Sequence, residues 1–385
     1  MVVARAVRRR PRTVRSRFLD PRGIVGSEGL RCSPSGTRRE NRVPDRTPDS
    51  RAEQRKLVRW YRKVGRACID FDPELAAHMS TAEVARDLDV LRGVLGDDRL
   101  NYVGASYGTA IGAHYADQFP DRVGRVVLDA AVDPALPESE FAGMQARGHR
   151  KVLRAYLRDC VSRRCPLGST AQEAMATLRG YLSKLDAKPA RLAGGATVTE
   201  GDARAAIQAA LASGGWPGLT KALSSALDGD AAALRKLAAT WYGAPPSAVR
   251  SLEGVVTLCS DSRERLDVHD VRKLADRYRR ISPVFGEQFA WAQVPCGQWP
   301  VEPPSSKPAD LDGAGADPIL VIGSHGDPIT PHRHAVALAN QLDSGALLTA
   351  RTYGHTTYPG RDRCVDRNVD RYLLEDFAPA DGLEC

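Results

Sequence analysis

One serine of this chain lies in a sequence pattern typical of a catalytic nucleophile. The residues Gly104-Ala105-Ser106-Tyr107-Gly108 are the single Gly-x-Ser-x-Gly run in the chain. The apolar residues Leu100–Val103 before this run predict a buried strand, and Thr109–Phe119 after it predict a helix. In such a strand–turn–helix the serine lies at the apex of a sharp turn, and the helix N-terminus favours developing negative charge. The pattern therefore predicts Ser106 as a nucleophile for acyl transfer.

An acidic residue and a histidine follow the serine in the order that such a nucleophile requires. Asp327 comes after a predicted strand at 318–322, and His355 comes directly after one at 347–353. Ligand chemistry gathers at the carboxyl ends of strands in open α/β sheets, so we expect both side chains near Ser106. His355 would take the serine proton and Asp327 would orient the imidazole. The backbone N–H of Tyr107 would be one oxyanion donor.

Each triad residue also has a structural interpretation without chemistry. Ser106 could be a turn serine, Asp327 could order the loop before Pro328, and His355 could be a packed loop histidine. Thr330 is interpreted only as the cap of a helix that starts at Pro331.

Three other histidines invite a metal-site hypothesis. Their spacing matches no standard ligand pattern, so solvated surface is the preferred interpretation of His325, His332 and His334. The predicted chemistry needs no metal and no cofactor.

The order of the predicted elements indicates an α/β protein. Strands alternate with helices in 56–135 and again in 301–385, which predicts one mostly parallel sheet flanked by helices. Residues 136–300 are mostly helical patterns and are expected to form a cap inserted into this core. Residues 1–55 are rich in Arg, Pro and Ser and are expected to be an irregular basic arm.

The net charge of +8 comes from the N-terminal segment, because residues 1–66 hold 20 Lys and Arg against 6 Asp and Glu. The basic run at 8–12 has no interleaved aromatic residues, so nucleic-acid binding is not expected.

No stretch of the sequence approaches the about 20 consecutive apolar residues that a membrane helix needs. Residues 1–20 lack the apolar region of an export signal.

The chain has eight cysteines and no Cys-x-x-Cys spacing, which favours disulfides and an oxidising compartment over zinc or free thiols. Nearest-neighbour pairing predicts Cys32–Cys68, Cys160–Cys165, Cys259–Cys296 and Cys364–Cys385.

Several separated motifs resemble the secreted tripeptidyl-aminopeptidase-like branch of the α/β hydrolases, a group of serine peptidases related to prolyl aminopeptidases. They are Asp20–Gly23, Leu100–Thr109, Cys165–Gly168, Pro295–Cys296 with Trp299–Pro300, Gly326–Pro331 and Gly354–Thr356. The resemblance implies an α/β-hydrolase fold, a helical cap, removal of short peptides from free N-termini and export from the cell. It also supports the four cysteine pairs.

The chain departs from this family ahead of Asp20. Members carry a Gly-Gly-Pro-Gly type of loop there, which supplies the second oxyanion donor, and none of the first 19 residues is Gly. We therefore expect an N-terminally truncated chain that lacks the first strands of the sheet and has weak activity.

A serine peptidase acting on peptides with a free N-terminus is the function that the sequence favours. A carboxylesterase with the same triad and a catalytically impaired remnant are the alternatives. Substrate-binding residues are unknown, although Glu138 and Glu140, just past a predicted core strand, are weak candidates for receiving an amino group.

Overall fold

A seven-stranded, mostly parallel sheet forms the centre of the protein. The computed structural model describes residues 2–6, 15–23, 27, 29–30, 32, 43–242, 250–302 and 311–385. The strands of the sheet are β1 (Val2–Ala6), β2 (Arg15–Leu19), β3 (Leu100–Ala105), β4 (Val123–Asp129), β7 (Ile319–Gly326), β8 (Gly345–Tyr353) and β9 (Leu383–Glu384). Their order is β2-β1-β3-β4-β7-β8-β9. Every pairing from β3 to β9 is parallel, so the predicted α/β architecture is confirmed.

The N-terminal segment differs from its prediction. Residues 2–6 and 15–19 are strands, and β1 pairs antiparallel with both β2 and β3. The expectation of a wholly irregular arm was therefore wrong, and the edge of β3 that we expected to lack partner strands is paired. Neither β1 (Val-Val-Ala-Arg-Ala) nor β2 (Arg-Ser-Arg-Phe-Leu) shows a clear alternation of apolar and polar residues, which is the usual sequence signal of a strand. The basic run at 8–12 lies outside the described residues.

Fifteen α-helices surround the sheet in the described part of the chain. The helices are α1 (Arg51–Phe71), α2 (Pro73–Ala77), α3 (Thr81–Val94), α4 (Tyr107–Gln118), α5 (Glu138–Ser162), α6 (Ala171–Ala187), α7 (Glu200–Ser213), α8 (Trp216–Leu227), α9 (Ala232–Tyr242), α10 (Arg250–Asp261), α11 (Val268–Ile281), α12 (Gly286–Trp291), α13 (Val294–Gly297), α14 (Arg333–Gln341) and α15 (Arg363–Glu375).

Both faces of the sheet are buried, as expected for parallel strands. Alternate residues of each strand point to opposite faces, so Tyr102 packs in the cluster with α3, α4 and α14, whereas Val103 packs with α15. This two-sided packing holds the carboxyl ends of β3, β4, β7 and β8 in fixed register. Those ends carry the candidate site.

Residues 136–300 are mainly helical, with one short hairpin formed by β5 (Ala190–Arg191) and β6 (Thr197–Val198). Helices α5 to α9, α11 and α12 share one apolar cluster that is separate from the clusters on the sheet. The division into a cap at 136–300 and a core at 56–135 and 301–385 remains a prediction. One contact complicates it: α1 buries Leu57 against Val271, Trp291 and Val294 of the helical segment.

The four predicted cysteine pairs are confirmed. Disulfide bonds join Cys32–Cys68, Cys160–Cys165, Cys259–Cys296 and Cys364–Cys385. Two of these bonds, Cys32–Cys68 and Cys259–Cys296, lie in one apolar cluster with Trp60 and Trp299. In the described ranges, none of the helices combines the length and apolarity needed to cross a membrane.

Candidate active site

Ser106 occupies a strained turn between β3 and α4. Its backbone has φ 56° and ψ −119°, a conformation rare for a residue with a side chain. The flanking glycines make the turn possible, because a Cβ on Gly104 would lie 2.4 Å from the carbonyl oxygen of Gly108. The hydroxyl of Tyr102 donates to that same oxygen at 2.7 Å, and the amide of Ser106 donates to the Asp129 carbonyl at 2.9 Å. The predicted nucleophile turn thus has a matching geometry.

Tyr107 is the first residue of α4, with Ser106 as the N-cap. The first N–H groups of a helix have no carbonyl acceptor within the helix, and the helix dipole makes this end electropositive. An oxyanion formed at Ser106 can therefore accept a hydrogen bond from the Tyr107 amide, as the sequence predicts. The phenol oxygen of Tyr107 accepts a hydrogen bond from the Thr81 hydroxyl at 3.2 Å.

Asp327 and His355 lie side by side after adjacent strands. Asp327 follows β7 directly and His355 follows β8 by two residues, and the two loops are joined by a hydrogen bond from the Gly354 amide to the Gly326 carbonyl. His355 Nδ1 lies 2.9 Å from Asp327 Oδ2. The Asp327 side chain is almost fully buried, whereas 15% of the His355 side chain is exposed. This pairing fixes the histidine ring and leaves Nε2 as the nitrogen available for chemistry.

The hydroxyl of Ser106 makes no hydrogen bond to any residue in the described part of the chain, His355 included. Catalytic hydrogen bonds are often loose without substrate and tighten when substrate binds. The structure therefore brings Asp327 and His355 together directly, while the serine-to-histidine contact of the triad remains a prediction.

Thr330 belongs to this site and was missed as a functional residue. Its hydroxyl donates to Asp327 Oδ2 at 2.9 Å and lies 3.4 Å from His355 Nδ1. The predicted helix cap was wrong, because α14 begins at Arg333 with His332 as its N-cap. Asp327 also accepts the amides of Ile329 and Thr330. The Asp-Pro-Ile-Thr sequence was the available signal, since Asp and Thr close such turns with their side chains.

The loop that carries His355 is fastened to helix α7. The His355 amide donates to the carbonyl oxygen of Ala212 in α7 at 2.7 Å. Arg361 contacts the same loop on both sides of the histidine, with hydrogen bonds to the carbonyl oxygens of Tyr353 (3.0 Å) and Thr356 (2.8 Å). It reaches the Ser213 carbonyl of α7 at 3.1 Å as well.

Three carboxylates gather on the Tyr107 side of the site. Asp261 accepts the Thr81 amide at 2.7 Å, and Thr81 in turn contacts the Tyr107 phenol. Burial raises the pKa of Asp261 to about 6. Burial together with Asp261 and Glu264 raises the pKa of Glu138 to about 8. A cation would relieve this crowding of negative charge.

Glu140, the second weak candidate for receiving an amino group, is exposed. The remaining histidines form no common ligand set. The rings of His325 and His332 are 4.5 Å apart, whereas His334 is fully buried and packs against Phe141.

Curated relatives match nearly the whole chain. The chain is 32% identical to the serine protease Hip1 of Mycobacterium tuberculosis over 97% of this chain and 76% of that protein. It is 29% identical to the tripeptidyl aminopeptidase of Streptomyces lividans, over 95% of this chain and 69% of that one. It is 31% identical to the carboxylesterase B of M. tuberculosis, over 95% and 72%.

A family model described as TAP-like protein matches residues 282–385, the part that contains Asp327 and His355. Together with the strand order and the turn at Ser106, these matches confirm the resemblance predicted from the motifs. The chain belongs to the TAP-like family of α/β hydrolases.

Proposed function

We propose that this hydrolase is a serine peptidase that releases short peptides from free N-termini. The observation that carries the proposal is the buried Asp327 carboxylate paired with His355 at 2.9 Å, together with a strained serine at a helix N-terminus. The similarity to a serine protease and to a tripeptidyl aminopeptidase supports peptides as the substrates. The four disulfides favour an oxidising compartment, which is consistent with export.

The proposed reaction has two acyl-transfer steps. His355 Nε2 takes the proton of Ser106 Oγ as the oxygen attacks the scissile carbonyl, and the Tyr107 amide stabilises the oxyanion. His355 then gives the proton to the leaving amine, which frees an acyl-enzyme on Ser106. Water, deprotonated by the same imidazole, hydrolyses the ester and regenerates the serine. Asp327 stabilises the imidazolium in both steps.

The carboxylates of Glu138, Asp261 and Glu264 are the proposed receptor for the free amino group of the substrate. Burial raises the pKa of Glu138 to about 8 and that of Asp261 to about 6, and a bound ammonium group would favour the charged form of both carboxyl groups. Two hydrogen bonds connect this cluster to Tyr107, the residue after Ser106. The Thr81 hydroxyl donates to the Tyr107 phenol, and the Thr81 amide donates to Asp261. An acidic cluster linked to the residue after the nucleophile favours an aminopeptidase over an enzyme that cleaves within a chain.

The proposal is tested with three matched substrates and one inactive variant. A tripeptide anilide with a free N-terminus, its N-acetyl derivative and a short acyl ester are compared at equal concentration, with Ser106→Ala as the control. We expect the free tripeptide to be the best substrate and acetylation to lower kcat/KM by about 100-fold, since a charge-assisted contact is worth about 1.5–3 kcal/mol. Equal rates on the free and acetylated peptides would contradict the aminopeptidase assignment.

A carboxylesterase is the second candidate, because the carboxylesterase B relative is about as similar as the protease. Rapid ester hydrolysis with negligible anilide hydrolysis would favour it. A fluorophosphonate probe, which labels an activated serine, distinguishes a catalytically impaired remnant from an active peptidase or carboxylesterase. No labelling at Ser106 would favour the remnant.

A further inference from the structure

A second buried carboxylate, Asp129, lies at the end of β4 and contacts both halves of the candidate site. Its main-chain oxygen accepts the Ser106 amide at 2.9 Å. Its side-chain Oδ2 accepts the amides of Thr357 at 2.7 Å and Tyr358 at 2.8 Å. These two amides follow His355 by two and three residues. One residue therefore joins the nucleophile turn to the histidine loop.

Asp129 is buried in surroundings where a carboxylate is less stable than a neutral side chain. The residue is 1% exposed, and Oδ1 is buried without a hydrogen-bond partner among the described residues. Burying a carboxylate with an unpaired oxygen costs stability, so a neutral side chain would be the more stable solution. Burial raises the pKa of Asp129 to about 6, which leaves it largely ionised at neutral pH.

The charge of Asp129 lies within electrostatic reach of the triad candidates. It attracts a protonated His355 and repels Asp327. His149 also faces this group of charges, but burial lowers its pKa to about 4 and it is neutral at pH 7. Asp129 thus interacts electrostatically with both members of the Asp327–His355 pair.

We infer that Asp129 is a positioning residue, which fixes the peptide after His355 to the strand that holds Ser106 and adds a negative charge facing the imidazole. The inference rests on the proposed role of Ser106 and His355. A displacement of about 1 Å between reacting groups can cost about 100-fold in rate, so an anchor two residues from the histidine acts directly on the chemical step.

The experiment compares Asp129→Ala and Asp129→Asn with Asp133→Ala in the 385-residue chain. Asn keeps an acceptor oxygen for both amides and removes the charge, whereas Ala removes both. Asp133 is a matched control, because its carboxylate accepts the nearby Ala135 amide at 3.1 Å and no other donor among the described residues. Activity is measured as kcat and KM for the best substrate, divided by the fraction of molecules that a fluorophosphonate labels.

We expect Asp129→Ala to lower kcat at least about tenfold with little change in KM, and Asp129→Asn to retain most of the wild-type kcat at pH 8. In Asp129→Asn the acid limb of the kcat/KM profile moves to lower pH, because the variant lacks a negative charge near the imidazole that takes the serine proton. A kcat for Asp129→Ala equal to that of Asp133→Ala would overturn the inference.

An acid limb of the kcat/KM profile that does not move in Asp129→Asn would also overturn the inference. This measurement tests the inference even if Asp129→Ala does not fold. A wild-type chain that neither reacts with the probe nor turns over substrate would overturn the proposed function as well. Labelled wild-type enzyme with unaffected Asp129 variants would overturn the role of Asp129 alone.

Discussion

Thr330 donates its hydroxyl hydrogen to Oδ2 of Asp327, the same carboxylate oxygen that pairs with His355. The contact lies in a fully buried position, and the Thr330 hydroxyl is also only 3.4 Å from His355 Nδ1, so it borders both partners of the pair. A carboxylate with all its neighbours in place needs little reorganisation when the imidazole becomes charged. The orientation of His355 therefore depends on a residue that takes no proton itself.

The first prediction concerns this hydroxyl. Thr330→Val keeps the shape of the side chain and removes the donor, so we expect kcat to fall about 10- to 100-fold, as for a lost hydrogen bond to a charged group. Thr330→Ser keeps the donor and should stay within about threefold of wild type. Steady-state kinetics on a peptide anilide measure both variants, and equal activity of the Val and Ser variants would contradict this role.

The second prediction concerns Arg361, which bonds carbonyl oxygens before and after His355. Arg361→Met leaves the loop without these bonds, so we expect kcat to fall about tenfold with a smaller change in KM. Arg363→Met, an exposed arginine two residues further on, is the control. The prediction fails if both variants have the same kcat.

The third prediction is the pH dependence of amino-group binding. Glu138 has a pKa of about 8, so its negative charge develops as the pH rises towards 8, while a free α-amino group loses its proton near the same pH. The KM for a free tripeptide should therefore fall between pH 6 and 8 and rise above it. Glu138→Gln should raise KM and flatten this dependence, whereas Glu140→Gln should not.

The fourth prediction concerns the effect of the Glu138 carboxyl group on the stability of the fold. Its pKa is raised from 4.5 in the unfolded chain to about 8 in the folded chain. The contribution of protonated Glu138 to the free energy of unfolding is fully present below pH 4.5 and is lost as the pH rises through 8. The Tm of Glu138→Gln should therefore exceed that of the wild type at pH 9 and match it near pH 4. A Tm difference that does not change with pH would refute the shift.

The fifth prediction compares two disulfides. The Cys259–Cys296 bond spans 37 residues and Cys160–Cys165 spans 5. Loop-closure entropy gives about 4 kcal/mol for the longer loop and about 2 kcal/mol for the shorter one. Paired Cys→Ala variants, unfolded in urea under oxidising conditions, should lose stability in that order. The reverse order would mean that packing, and not loop length, dominates.

Sequence patterns located the parts of this fold that depend on local spacing. The pattern around Ser106 predicted β3 and α4 to within two residues, and nearest-neighbour pairing of the cysteines predicted the observed disulfides. Long-range contacts were not predictable in the same way. Asp129 meets Thr357 across 228 residues, and no local pattern marks either partner. Strands β1 and β2 escaped notice because the pairing of β2 with β1 and of β1 with β3 defines them, and no clear apolar alternation marks them.

The hydrogen bond from the His355 amide to Ala212 has a consequence for protein engineering. Recombining this chain with its relatives by exchanging the whole helical segment would also exchange the end of α7, and with it the acceptor for the histidine loop. A chimaera that folds well could still misplace the imidazole. Crossover points would have to keep residues 210–215 together with the loop that carries His355. Exchanging the helical segment to change the substrate range would therefore also change the position of the catalytic histidine.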